Sequence, residues 1–387
     1  MALYAFDGTG DRWTPGARWK DFDLHAMAPE QKDELLSTIT PTAKTKKGRY
    51  LTNVVFMFKE FVASGIHAEY FPGVGSGAWF ETNTGKTLDA FLGGAFGIGA
   101  CGIAKQAFGR LRRNMAKGDS VIDIVGYSRG AATARIFADK IASDFKKLDT
   151  SLERPPEIRF VALFDTVASF GNPLNDNEIV FQPNLPWIVR NAFHAMSLDL
   201  SRLGFGLDRA YGNHVMEVWF RGGHGDVGGN SSLLDGSPNR LRTNISLVYM
   251  LKKAIASGIE LKTKGLCGEG SGDQAIDYPI NLQAPVSVED KNFLNLSPGS
   301  DPTRRPRNHD IFHHSLFDES NHERRPDDTW TGRPIYSHPK LKKRDYLVIE
   351  EPYNESELAD LRVLQLTPRL TKKFPDTQSI YDCLEKS

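Results

Sequence analysis

Five consecutive residues, Gly126-Tyr127-Ser128-Arg129-Gly130, constrain this chain more than any other stretch. They separate the apolar run Val121-Ile122-Asp123-Ile124-Val125 from Ala131-Ala132-Thr133-Ala134-Arg135-Ile136-Phe137-Ala138. The pattern reads as a buried strand, a turn too tight for side chains at two positions, and a helix with small residues on its first turns. The glycines let the backbone fold sharply enough to hold Ser128 above the sheet edge in a strained conformation. The N–H of Arg129, opening the helix, then points toward any oxyanion formed on a carbonyl that Ser128 attacks. The stretch is a nucleophile elbow: Gly-x-Ser-x-Gly in the strand–turn–helix context that gives it a mechanism.

Around this elbow, strands and helices alternate. Leu3-Tyr4-Ala5-Phe6 reads as a strand ending in the turn Asp7-Gly8-Thr9-Gly10-Asp11, and 67–74 as a second strand after an amphipathic helix over 52–63. Glu157 to Phe164 and His214 to Phe220 read as further strands, Asn239 to Ser257 as a helix, and Arg344 to Glu350 as a late strand. Such alternation predicts an α/β fold, a mostly parallel sheet with helices on both faces. Residues 1–260 form the expected core, with insertions at about 12–50 and 172–213, the latter carrying helical pieces near 188–203. Residues 261–387, rich in Gly, Pro, Asn, Arg and His, read as a loop-rich cap or extension packed on that core.

Composition narrows the function classes. The 48 basic and 48 acidic residues cancel, so no global field attracts nucleic acid. Three cysteines, far apart and odd in number, argue against a disulfide framework and for synthesis in a reducing compartment. The first residues lack the basic region and long apolar stretch of a secretory signal peptide, so cytoplasmic synthesis is expected. The uncharged run Ala90 to Ala104 is short for a membrane span. It reads either as a helix packed beside the elbow or as a lipid-facing wall of the site entrance.

In open α/β sheets the ligand crevice lies at the carboxyl ends of the strands. Here those ends carry Gly8 and Thr9, Ser128, Asp165 and His224. The order Ser128, Asp165, His224 is the order of nucleophile, acid and base in α/β-hydrolases. Ser128 would attack an ester carbonyl, His224 would take and return its proton, and Asp165 would orient the imidazole. Asp226 is the rival acid, and His313 or His314 the rival base. The Asp7–Gly10 turn is expected to supply a second oxyanion donor from Gly8, Thr9 or Gly10 beside Arg129. Asp7, Asp11, His224 and Asp226 are metal-ligand types, but nothing fixes a coordination set, so no metal or cofactor is expected.

Phe6-Asp7-Gly8-Thr9, Thr52-Asn53-Val54, Gly73-Val74-Gly75, Gly126 to Ala132, Phe164-Asp165-Thr166-Val167 and Glu217 to Gly229 occur in that order. The set resembles the bacterial and fungal family of uncharacterised α/β-hydrolases that includes Tle-type phospholipase effectors of type VI secretion. The resemblance covers roughly residues 3–260. It implies a lipolytic serine hydrolase acting on phospholipid esters, in transient contact with a membrane surface. For effector-type members it further implies passage into target cells by a type VI system, a secretion-spike component and an immunity protein as partners. A soluble esterase on small substrates, or a binding protein retaining the fold without activity, are the alternatives.

Overall fold

The computed structural model describes residues 1–13, 24–45, 48–76, 94–168, 184–199, 205–212 and 214–262, with shorter stretches between 278 and 349. The strands are β1 (Ala2–Phe6), β2 (His67–Phe71), β3 (Ile122–Tyr127), β4 (Ile158–Phe164), β5 (Val189–Ser197), β6 (Val215–Phe220), β7 (Ile311–His313), β8 (Glu323–Arg324), β9 (Thr329–Thr331) and β10 (Tyr346–Ile349). The helices are α1 (Pro29–Ser37), α2 (Asn53–Ala63), α3 (Gly94–Met115), α4 (Arg129–Leu148), α5 (His224–Gly228) and α6 (Arg240–Ala256).

Among the described residues, ten strands form one sheet in the order β2-β1-β3-β4-β5-β6-β7-β10-β9-β8. Pairing is parallel from β2 through β7 to β10 and antiparallel only for β10–β9 and β9–β8. A mostly parallel sheet needs cover on both faces, and the alternation within β1 provides for it. Leu3 and Ala5 pack into a core with Phe58, Phe61, Tyr249 and Leu251 of α2 and α6. Tyr4 and Phe6 face the opposite core, against Phe137 and Ile141 of α4 and Ala104 and Ala107 of α3. The buried rings of Tyr4 and Phe137 sit 5.1 Å apart, and full burial of such a ring contributes about 1.5–3 kcal/mol.

Residues 100–111 of the uncharged run and its continuation are core: Ala100, Ile103, Ala104, Ala107 and Leu111 are buried against the sheet and α4. Residues 90–93 of that run lie outside the described residues. Cys101 is also buried. Among the described residues no helix is long and apolar enough to cross a membrane.

The helical pieces expected near 188–203 are overturned for the described residues by β5, a central strand between β4 and β6. Its polar residues hid it. Asn191 donates to the Arg159 carbonyl oxygen at 3.2 Å and the His194 ring meets Glu217 at 3.0 Å, so each is satisfied inside the sheet. Beyond residue 261, the described strands β7 to β10 prolong this same sheet.

The chain enters at β1, adds β2 on one side and then crosses to β3 on the other. The strand order therefore reverses between β1 and β3, which is where such sheets open a crevice at their carboxyl ends.

Candidate active site

The elbow begins with two close approaches. A Cβ on Gly126 would stand 2.7 Å from the Ala131 Cα, and one on Gly130 would stand 2.3 Å from the Asp7 carbonyl oxygen. Only hydrogen fits at either place, so α4 starts hard against the ends of β1 and β3. Between the glycines, Ser128 takes φ 57° and ψ −127°, a backbone conformation that L-residues resist. Its carbonyl accepts from Ala131 and Ala132 at the start of α4, and its own N–H donates to the Phe164 carbonyl oxygen at 3.0 Å. The tight turn thus hangs on both the helix and the neighbouring strand.

Ser128 Oγ lies 2.8 Å from His224 Nε2, and His224 Nδ1 lies 2.6 Å from Asp165 Oδ2. Residues 96 and 59 positions apart in sequence meet because each follows the end of a different parallel strand. His224 is the first residue of the single-turn α5, and its ring stands between two others. Tyr127 is 4.7 Å away by centroid and Phe205 meets it edge-on at 5.0 Å. The Tyr127 hydroxyl lies 3.3 Å from the His224 carbonyl oxygen and 3.2 Å from Asn230 Oδ1.

Asp165 is fully buried and heavily bonded. Oδ1 accepts from the Ser197 N–H at 2.7 Å and Oδ2 from the Ser197 hydroxyl at 3.0 Å. Arg304, also fully buried, adds a fork: Nη1 to Oδ1 at 2.7 Å and Nη2 to Oδ2 at 3.0 Å. Burial alone would raise this carboxyl, but the Arg304 charge and the His224 hydrogen bond outweigh it and hold it well below the usual carboxylate range. His224 is shifted down from its ordinary value, first by burial, with Asp165 opposing and the Arg304 and Arg129 charges adding. The arrangement pairs an ionised acceptor on one ring nitrogen with a hydroxyl on the other, the polarity needed to draw a proton from Ser128.

The rivals sit elsewhere. The Asp226 carboxylate accepts from Gly223 N–H, the Ser231 hydroxyl, the Asn239 amide and both N–H and hydroxyl of Ser287. It ties α5 to its surrounding loops. His313, in β7, stacks on Phe220 at 4.7 Å, and His314 lies outside the described residues. Asp7 accepts from Thr52, Tyr70 and the Gly8 N–H, while Asp11 pairs with Arg49 and accepts from Asn230. Among the described residues no three or more His, Cys, Asp or Glu are grouped to hold a metal ion. Thr9 flanks the elbow, its hydroxyl accepting from Arg129 Nη1 at 3.2 Å.

Ser197, His194 and Arg304 escaped the sequence reading, and Glu217 entered it only as part of the resemblance. His194 Nε2 accepts the Thr166 N–H at 3.1 Å, next to Asp165, and its other nitrogen meets Glu217. Glu217 in turn accepts from Arg209 at 2.7 Å. A glutamate inside the otherwise apolar Val215-Met216-Glu217-Val218-Trp219-Phe220 was the signal for this buried network. Arg304, within a polar run of arginines and prolines, gave none.

A mostly parallel sheet covered on both faces, with a serine on a sharp turn after a central strand, defines an α/β-hydrolase-like protein. The family model for the catalytic domain of Tle1-like phospholipase effectors of type VI secretion matches residues 39–144 and 139–253, together more than half of the chain. The chain belongs to this family.

Two solved structures are similar. One is a Tle1 effector bound to the VgrG spike of the type VI secretion system, at 20% identity over 60% of this chain and 51% of that one, with a TM-score of 0.37. The other is an uncharacterized protein from Pseudomonas aeruginosa, at 20% identity over 67% of this chain and 46% of that one, with a TM-score of 0.38. The chain spans about half the length of these structures. No curated protein matches its sequence.

Proposed function

We propose that this chain is a serine-dependent phospholipid ester hydrolase in which Ser128 is the nucleophile, His224 the general base and Asp165 the acid. The observation that supports this reading is the unbroken relay from Ser128 Oγ through both nitrogens of His224 to Asp165, at 2.8 and 2.6 Å. Ser128 Oγ attacks the ester carbonyl carbon while its proton passes to His224 Nε2. The carbonyl oxygen becomes an oxyanion, received by the N–H of Arg129 at the start of α4 and a second donor from the Asp7–Gly10 turn. Gly8 N–H is directed to Asp7 Oδ1 at 2.8 Å, so the Thr9 N–H is assigned that part. The tetrahedral intermediate collapses, the alkoxide leaves with the proton from His224, and an acyl group stays on Ser128. Water, deprotonated by His224, then releases the fatty acid and restores the serine.

Family membership supports phospholipid as the substrate class and a transient encounter with a membrane surface. It also supports delivery into a target cell by a type VI system, with a spike component and an immunity protein as partners. Nucleic acid has no part in this reading.

The test is hydrolysis by wild type and Ser128→Ala of a short-chain chromogenic ester and a labelled phospholipid in parallel. A folded variant that loses roughly 10⁴-fold or more on both substrates supports the assignment, and the wild-type ratio separates lipase from esterase. A folded wild type inactive on both overturns it in favour of a binding protein.

A further inference from the structure

Arg304 comes from a short turn, Pro302–Arg304, that lies 139 residues after Asp165. Besides its fork on the Asp165 carboxylate, Nη1 donates to the Ser197 carbonyl and hydroxyl oxygens at 2.9 and 2.8 Å, and Nη2 donates to the Phe205 carbonyl oxygen at 2.8 Å. Next to it, the Thr303 hydroxyl accepts the Leu207 N–H at 2.8 Å. The turn therefore grips the acid and also the segment whose Phe205 ring borders His224.

We propose that Arg304 is a positioning residue of the relay, fixing the Asp165 carboxylate toward His224 and offsetting the carboxylate's charge. The inference rests on the hydrolytic reading above. Asp165 also accepts two bonds from Ser197, both from neutral donors. A buried cation at 2.7–3.0 Å adds something different. A bare buried carboxylate would hold a proton on His224 too firmly, and a protonated imidazole accepts nothing from Ser128. The planar fork matches both carboxylate oxygens at once, which an ammonium does not.

Among the described residues, these other charged and titratable groups face His224 or lie on its helix. Arg129, from the start of α4, acts in the same direction as Arg304. Asp226, on the same helix as His224, is bonded to Ser231, Asn239 and Ser287. Tyr127 and Phe205 present rings, and the Tyr127 hydroxyl is engaged with the His224 carbonyl oxygen and Asn230.

The experiment compares wild type, Arg304→Gln and Arg304→Lys, each checked for folding by circular dichroism. The titration midpoint of the His224 ring is followed by NMR, its signal assigned with His224→Gln, and the pH profile of kcat/KM on a short-chain ester is recorded alongside. In Arg304→Gln the midpoint is expected to rise by about one pH unit, carrying the acidic limb of the profile with it. In Arg304→Lys the charge persists, so the midpoint stays near wild type. The fork is lost, however, and kcat is expected to fall about tenfold at unchanged KM.

A folded Arg304→Gln with the wild-type midpoint overturns the proposal. Should that variant not fold, Arg304→Lys with wild-type kcat does so instead. Because the NMR midpoint needs no turnover, a wild type without Ser128-dependent hydrolysis sinks the functional reading while leaving the electrostatic role of Arg304 separately measured.

Discussion

Ser128 and Asp165 stand at the ends of the neighbouring strands β3 and β4, and the Ser128 N–H donates to the residue just before Asp165. Among the described residues they are the two non-glycine positions with positive φ, at 57° and 43°. Adjacent strands that end alike turn their next side chains into the same crevice, at a cost of about 1–3 kcal/mol for each strained backbone. Relieving that strain at Ser128 has a measurable sign. Ser128→Gly is expected to be more stable than Ser128→Ala by about 1 kcal/mol, since glycine accepts the conformation and alanine does not. Urea denaturation of the two variants decides it; equal midpoints would show that the turn carries no strain.

The two candidate acids are separated by substitution with asparagine. Asp165→Asn should lower kcat on a short-chain ester by roughly 10⁴-fold, because the amide favours the wrong imidazole tautomer. Asp226→Asn should keep kcat within about threefold and instead lose about 2 kcal/mol of stability, since its five donors need acceptors. Kinetics and melting of both proteins check this. A catalytic collapse in Asp226→Asn would exchange their roles.

Asp139 in α4 has its carboxyl pushed up to about 7 by burial, with Arg135 countering only in part. Between the ordinary carboxylate range and pH 7 the folded chain thus binds more protons at this site than the unfolded one. Stability accordingly falls as pH rises through that window. Asp139→Asn removes the ionisation, so its advantage over wild type is expected to grow by about 2.5 kcal/mol between pH 5 and pH 8. Denaturant titrations at the two values measure it; an advantage independent of pH would contradict the assignment.

Gly130→Ala tests how tightly α4 abuts β1. The new methyl would meet the Asp7 and Phe6 carbonyl oxygens at 2.3 and 2.4 Å, and backbone cannot step aside as a side chain would. A loss of about 3 kcal/mol or more is expected, together with loss of esterase activity as the Thr9 turn and the elbow separate. Chemical denaturation reads the first and an ester assay the second. A variant destabilised by less than about 1 kcal/mol would mean that the contact is slack.

Local order made much of this site legible. Ser128 announced itself because strand, turn and helix follow within a few residues, and Asp165 and His224 because each directly follows an apolar strand or its glycine turn. β5 was hidden by Asn191 and His194, polar residues whose partners, the Arg159 carbonyl oxygen and Glu217, lie on neighbouring strands. Periodicity has no access to such pairing. Arg304 was beyond reach for the same reason in stronger form. Nothing near it in sequence distinguishes it from Arg305 or Arg307, and its significance resides in a carboxylate 139 residues away.

That separation also sets an order of events at the ribosome. At roughly 5–20 residues per second, the interval between making Asp165 and making Arg304 is about 7–28 s. Ser128, Asp165 and His224 all emerge before the guanidinium that grips the acid. Contacts this distant in sequence close late, because a long loop must be ordered first. A nascent chain can therefore form its serine turn well before the finished arrangement exists, and whatever Arg304 confers arrives only after the other three residues have been made.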